Sequence, residues 1–230
     1  CIKIFMSCHI KVKISFFLFN KSYNRYILIL VMQDKKFVSK YFHETSEAIR
    51  NLENHSTSIN LIINEILNCN KDNKKVLIAG NGGSCADAEH FAGELICTFM
   101  ERKRPGISAI PISSHPAALT AWSNDFGFES YIERQIISNG KEGDILFLLS
   151  TGGGSLKNKT SLNLVFAAKK AKEKKLKVIS LVGKDGGELK KMSDLSIHVK
   201  NNNTSIIQEA HMSILHCICI GLDKHMVNNK

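Results

Sequence analysis

Between Met32 and about residue 70 the apolar positions Ile49, Leu52, Ile59, Ile62, Ile63, Ile66 and Leu67 recur at the three- and four-residue intervals of helices that bury one face. The polar pair Asn54-His55 interrupts this pattern, and Ser56 or Thr57 is placed to cap a restart, so two helices are expected before any strand. Val76-Leu77-Ile78-Ala79 then reads as a short buried strand. Gly80-Asn81-Gly82-Gly83 ends it, and Ser84 is the expected N-cap of a helix reaching about residue 99. Further strands are expected near 107–112, 144–149, 178–182 and 195–199. Helical stretches are expected at 115–122 and 128–137, in a Lys-rich segment to about 175, and in a closing segment from 204 to about 226.

Strands separated by helices predict a parallel sheet covered on both faces, and the chain from Met32 onward reads as one domain without an internal linker. The first 31 residues differ. They are aromatic and basic, contain no acid, and hold no apolar run near the roughly 18 residues of a membrane span. Residues 1–31 are therefore expected to be translated upstream sequence or a non-native extension, with a degenerate signal or anchor as the alternative. Residues 32–230 carry the fold.

Charge and cysteine usage narrow the class only modestly. Lys and Arg outnumber Asp and Glu by 31 to 21, but Lys3, Lys11, Lys13, Lys21 and Arg25 fall in the first 31 residues, which halves the excess over the remainder. Such a balance suits a small anionic ligand at least as well as nucleic acid. Neither a nucleic-acid nor a membrane partner is expected. Seven cysteines without a Cys-x-x-Cys pair indicate neither a disulfide framework nor a thiolate zinc site, which suits a reducing, cytoplasmic compartment. The Lys run at 169–177 reads as a solvated helix face.

In an open parallel sheet, ligands bind beyond the carboxyl ends of the strands, where two glycine turns are expected. Gly80-Asn81-Gly82-Gly83-Ser84 lacks the Lys of a phosphate-binding P-loop, and Cys85 stands where a dinucleotide fingerprint needs its third glycine. The second turn, Ser150-Thr151-Gly152-Gly153-Gly154-Ser155, follows a strand directly. Both turns offer backbone N–H groups and hydroxyls that can hold a phosphate, although each taken singly also reads as a tight connection. His90 and Glu94, four apart, share one helix face and can bind a metal, set a carboxylate beside an imidazole, or form a plain surface pair. The closing helix adds Gln208, Glu209, His211 and His216. Spacing alone does not choose between Gln208 and Glu209 as the partner of His216, and His211 faces away as a structural histidine.

Taken together, Gly80-Asn81-Gly82-Gly83-Ser84, Ala86-Asp87-Ala88, His90-Phe91-Ala92 with Glu94-Leu95, Ser123-Asn124-Asp125-Phe126-Gly127-Phe128, Ser150-Thr151, Gly183-Lys184-Asp185-Gly186-Gly187, and Gln208-Glu209-x-His211 with Leu215-His216 closely resemble the phosphoheptose isomerases of the sugar isomerase (SIS) family. The resemblance runs in order from about Met32 to Met226. It implies a three-layer α/β/α sandwich with a five-stranded parallel sheet, preceded by N-terminal helices, and a homotetramer with active sites at subunit contacts. It also implies conversion of D-sedoheptulose 7-phosphate to D-glycero-D-manno-heptose 7-phosphate for heptose and lipopolysaccharide biosynthesis. Carried over, His90, Glu94, Gln208 and His216 would bind one zinc ion per subunit. Asn81, Gly82, Gly83, Ser84, Asn124 and Asp125 would hold the sugar beside Glu94 and Gln208, and Ser150, Thr151, Gly152 and Ser155 would hold the phosphate.

The reaction needs a base at C1, a stabilised enediolate and an acid at C2, roles that Glu94 as base and His216 as acid would fill. Departures from the family pattern are Gly152 in place of a serine, Ile206 in place of an arginine and Ser205 in place of an aspartate. Two other readings compete: a non-catalytic SIS protein that binds a replication initiator, and a SIS isomerase for another sugar phosphate. Survival of both Glu94 and His216 argues for the phosphoheptose enzyme.

Overall fold

The structure, a computed structural model, describes residues 21–228, with side chains placed over residues 35–227. Five short strands, β1 (Val76–Gly80), β2 (Ala109–Pro111), β3 (Ile145–Ser150), β4 (Lys177–Val182) and β5 (Leu195–His198), form one parallel sheet in the order β2-β1-β3-β4-β5. Helices α1 (Lys21–Arg50) and α2 (Ser56–Lys71) precede it. Helices α3 (Gly83–Ile96), α4 (Pro116–Phe126), α5 (Tyr131–Asn139), α6 (Leu162–Glu173), α7 (Gly187–Met192) and α8 (Thr204–Asn228) follow or separate the strands. This is the expected α/β/α sandwich.

Alternate residues of the central strands feed two cores. Val76, Ile78, Ile145, Phe147, Leu149, Ile179 and Leu181 pack against α2, α3 and α8, while Leu77, Ala79, Leu146, Leu148 and Val178 pack against α5, α6 and α7. Because both faces are covered, the strands read as unbroken apolar runs rather than as alternating ones. Phe147 lies fully buried at the centre, its ring 5.1 Å from that of Phe91 on α3. Asp144, almost fully buried, accepts from the Lys75 ammonium at 2.6 Å and from the backbone N–H groups of Lys75 and Lys141, which aligns the starts of β1 and β3.

The strand order reverses between β1 and β3, so the connections leaving these neighbours diverge and open a crevice at their carboxyl ends. Both glycine turns begin there. Helix α8 is long and apolar enough to cross a membrane by length and composition, but half of that stretch is buried and packs against α2 and α3. It is a core helix.

Several boundaries differ from expectation. Neither Ser56 nor Thr57 caps α2: Arg50 and Ser56 both keep right-handed helical backbone, and a short 3-10 turn at Asn51–His55 joins the helices without the extended residue that a side-chain cap requires. Helix α3 stops at Ile96, because the Arg104 side chain takes the carbonyls of Glu94 and Leu95. The six-residue α7 was not expected, since Leu189 is its one fully buried side chain. By compactness the chain divides between His43 and Glu44, and the unit from Glu44 onward holds the sheet. The compositional change at Met32 leaves no break in α1. Residues 1–20 of the expected extension lie outside the described residues.

Truncating Phe147 would leave a cavity between the sheet and α3. Phe147→Ala is expected to lower unfolding free energy by about 3–5 kcal/mol, read from the midpoint shift in urea denaturation.

Candidate active site

The first turn is tighter than its sequence implied. Gly82, at φ 55°, is the N-cap of α3, so Ser84 lies buried inside the first helical turn instead of capping it. Gly80 lies against the Ser84 backbone, where a Cβ would collide, and its N–H donates to Ser113 Oγ at 3.1 Å. The Asn81 amide makes a reciprocal pair with the buried Asn163 amide of α6, at 3.0 and 2.7 Å. Asn163 carried no sequence signal, because a lone Asn at a helix start reads as solvent-exposed.

The second turn does not open a helix directly. Ser155 pairs with Thr160 in a small antiparallel bridge and α6 begins only at Leu162, so this loop's N–H groups are not at a helix N-terminus as expected. Ser150, the last residue of β3, accepts from the Gly153 N–H through Oγ at 3.0 Å, which leaves its hydroxyl proton free to donate. The two turns share a cavity of about 710 Å³ lined by Asn81, Ser84, Ser150, Thr151, Gly152 and Ser155 on one side and by the β4–α7 turn on the other. A side chain at Gly152 would meet no atom within 4 Å.

Farther along α3, His90 and Glu94 face α8. Nε2 of His90 lies 3.0 Å from Nε2 of His216 and 3.7 Å from Oε1 of Glu94, and the Phe99 ring stacks on His216 at 5.4 Å between centroids. Of Gln208 and Glu209, Gln208 is the one turned inward. Its side chain lies over Gly83 and near Asp87, whereas Glu209 is exposed. Burial raises the Asp87 carboxyl above its usual range against the opposing pull of Gln208 and His90, and Oδ2 is buried without a partner. Asp87 is a site residue that the spacing argument passed over, although it stands one helical turn before His90.

Other candidates stand apart. Asn124 and Asp125 are exposed at the end of α4 and bonded to each other at 2.8 Å, and they line neither the cavity nor the histidine pair. His211 is fully buried, as expected of a structural histidine, and among the described residues neither ring nitrogen makes a well-formed hydrogen bond, the Val182 backbone being its polar neighbour.

The donor chemistry fits a metal. Two zinc-bound imidazole nitrogens at tetrahedral angles stand about 3.3 Å apart, close to the His90–His216 separation. Among the described residues no three His, Cys, Asp or Glu side chains converge as a ready cluster, and the donors that could join the two imidazoles are Glu94, 3.7 Å from His90, and Gln208 on α8.

The SIS domain family profile matches residues 40–183. A phosphoheptose isomerase of Helicobacter pylori (strain P12) is 36% identical over 193 residues, covering 83% of this chain and 96% of that protein. The chain belongs to the phosphoheptose isomerase family. Solved structures agree: a phosphoheptose isomerase from Francisella tularensis superposes with TM-score 0.77 at 31% identity, and one from Neisseria gonorrhoeae with 0.75 at 32%, each covering 83% of this chain and 98% of the other. Members of this family are aldose–ketose isomerases, and the juxtaposed carboxylate and imidazoles are the groups such a reaction uses.

Burial pushes the His211 pKa down from 6.5 to about 4, so the folded state resists protonation there. Stability from this residue is intact above about pH 6.5 and declines as pH falls toward 4, by on the order of 3 kcal/mol. Urea unfolding across that range should show the decline in the parent, and a flatter profile in His211→Leu.

Proposed function

We propose that this chain interconverts D-sedoheptulose 7-phosphate and D-glycero-D-manno-heptose 7-phosphate through an enediolate, as a cytoplasmic step toward heptose and lipopolysaccharide. The observation that carries the reading is that α3 begins at the cavity walled by Ser150, Thr151 and Ser155, which Ser84 also lines, and carries His90 and Glu94 farther along to meet His216. Six residues of α3 separate Ser84, at the cavity, from His90. That is a rise of about 9 Å, the reach of a seven-carbon chain with its phosphate on the last carbon.

The phosphate accepts hydrogen bonds from the loop hydroxyls and from free backbone N–H groups, and Asn81 borders the sugar. Glu94, on one face of the bound chain, removes a proton from C1 of the ketose, and the C1–C2 double bond forms as the C2 carbonyl becomes an oxyanion. His216 gives a proton to C2, the C1 hydroxyl proton passes to the C2 oxyanion as the aldehyde forms, and the proton held by Glu94 returns through solvent to His216, so the isomerisation balances without another reactant. His90, Glu94, Gln208 and His216 would hold one zinc ion per subunit, and the bound ion supplies a Lewis acid for the developing oxyanion. A group that both binds metal and moves a proton is a weaker base, so either the ion would be held loosely or it would organise the site while substrate displaces some of its ligands.

An apolar groove of about 500 Å³ between α2 and α8, bordered by Leu52, Ile63, Ile214 and Ile220, supports assembly into a homotetramer. Asn124 and Asp125, exposed on α4, are then available to a site at a subunit contact.

Glu94→Gln is expected to reduce turnover of sedoheptulose 7-phosphate by roughly 10²–10⁴-fold without lowering the melting temperature. In the parent, chelation should abolish activity and zinc should restore it. A parent-like rate in Glu94→Gln would sink the mechanism. Gly152→Ser should lower KM several-fold at unchanged kcat, because a charge-assisted hydrogen bond is worth about 1.5–3 kcal/mol before its entropic cost. An unchanged KM would mean that a backbone N–H or a water already serves that phosphate oxygen.

A further inference from the structure

Hydroxyls and amides line one wall of the cavity, and they carry no positive charge to offset a phosphate of nearly two negative charges. The opposite wall is the β4–α7 turn, which brings Lys184, Asp185, Glu188 and Lys191 to the cavity. Three of these charges are already engaged. Asp185 Oδ1 accepts from the Gly187 N–H at 3.2 Å, and Lys191 lies 3.6 Å from Glu188. Among the described residues the Lys184 ammonium has no hydrogen bond or ion pair, and the side chain is exposed.

The backbone at Lys184 is held in place. Its φ is 49°, in the left-handed region that a non-glycine residue occupies only at a cost. The Lys184 N–H donates to the Asn201 carbonyl at 3.0 Å, and the Lys184 carbonyl accepts from Nε2 of His198 at 2.9 Å. Nδ1 of His198 faces the Lys190 ammonium at 3.1 Å, so it is the acceptor there and Nε2 carries the proton. The turn is also docked on the phosphate loop. Glu188 and Leu189 N–H groups donate to the Gly154 and Gly153 carbonyls at 3.0 and 2.9 Å, and a Cβ on Gly153 or Gly187 would strike the facing backbone. Lys184 is thus fixed relative to Ser150, Thr151 and Ser155 by backbone contacts.

We propose that Lys184 is a specificity-determining residue of this site, its ammonium neutralising the phosphate of the bound sugar across the cavity from the hydroxyl loop. The proposal rests on the reading of the cavity as the phosphate site. It makes selection for a phosphorylated sugar depend on a charge supplied by the β4–α7 turn as well as on the serine-rich loop.

The test uses the full chain with inorganic phosphate as probe, following melting temperature against phosphate concentration, and KM and kcat for sedoheptulose 7-phosphate. Lys184→Met and Lys184→Arg are compared with the parent, and melting without phosphate reports folding. If Lys184→Met melts early, Lys184→Asn takes its place, since Asn tolerates left-handed backbone. Loss of the ammonium should raise both KM and the phosphate concentration for half-maximal stabilisation by about tenfold, with kcat near the parent value. Lys184→Arg should recover most of both. The salt dependence of KM should weaken in the charge-free variant. Parent values of KM and of phosphate stabilisation in that variant would overturn the proposal while leaving the isomerase reading intact. A parent protein that phosphate does not stabilise and that leaves the sugar unconverted overturns the reading of the cavity, and the proposal with it.

Discussion

A buried ion pair that ends the helix carrying His90 and Glu94 governs the geometry on which the reacting groups depend. Arg104 and Asp223 are almost fully buried, with Nε and Oδ1 2.5 Å apart. The rest of the guanidinium takes the carbonyls of Glu94, Leu95 and Pro105, and the second carboxylate oxygen takes the N–H groups of Met100 and Glu101. Such a pair adds little net stability over an apolar replacement, because desolvation offsets the attraction, but removing one partner strands a charge in the core. Here it ends α3, anchors the chain that follows and joins both to α8. His90 and Glu94 ride on α3 and His216 on α8, so the relative placement of these helices sets whether imidazole, imidazole and carboxylate can meet.

A second constraint comes from glycines that face one another. Where the β3 loop meets the β4–α7 turn, a Cβ on Gly153 or on Gly187 would collide with the facing backbone, and one on Gly154 or Gly186 would collide with the Val165 or Lys190 side chain. All four have positive φ, which glycine adopts at little steric cost. The consequence is a cavity whose two walls are fixed by main chain, with Ser150 and Thr151 on one and Lys184 on the other. Charge on the lysine-rich end of α6 and the turn after it is handled differently. Lys170, Lys172 and Lys175 pair with Glu133, Glu173, Asp194 and Glu142 at the surface, as suits a solvated face.

Much of this was legible before any coordinates. Apolar runs marked β1, β3 and β4 because strands covered on both faces need continuous hydrophobicity, and the glycine turns marked where the sheet opens. His90 and Glu94 were legible as one helix face because an i,i+4 pair has fixed geometry. Helix α7 was obscured because it buries so little, and the cap of α3 was misplaced because Gly82 takes a backbone that Ser84 could not. Asp87 and Asn163 were passed over because each acts through a partner, Gln208 or Asn81, that is remote in sequence.

The chain by itself determined the period of each element, the order of strands and helices, and the presence of an imidazole, a carboxylate and a hydroxyl loop, because these depend on neighbours within a few residues. Tertiary structure decided which of Gln208 and Glu209 turns inward, that His90 meets His216 across 126 residues, and that Asn124 and Asp125 stay outside. Those outcomes depend on how α3, α4 and α8 dock on the sheet. Docking is set by the summed packing of both cores and the Arg104–Asp223 pair, which no local pattern encodes.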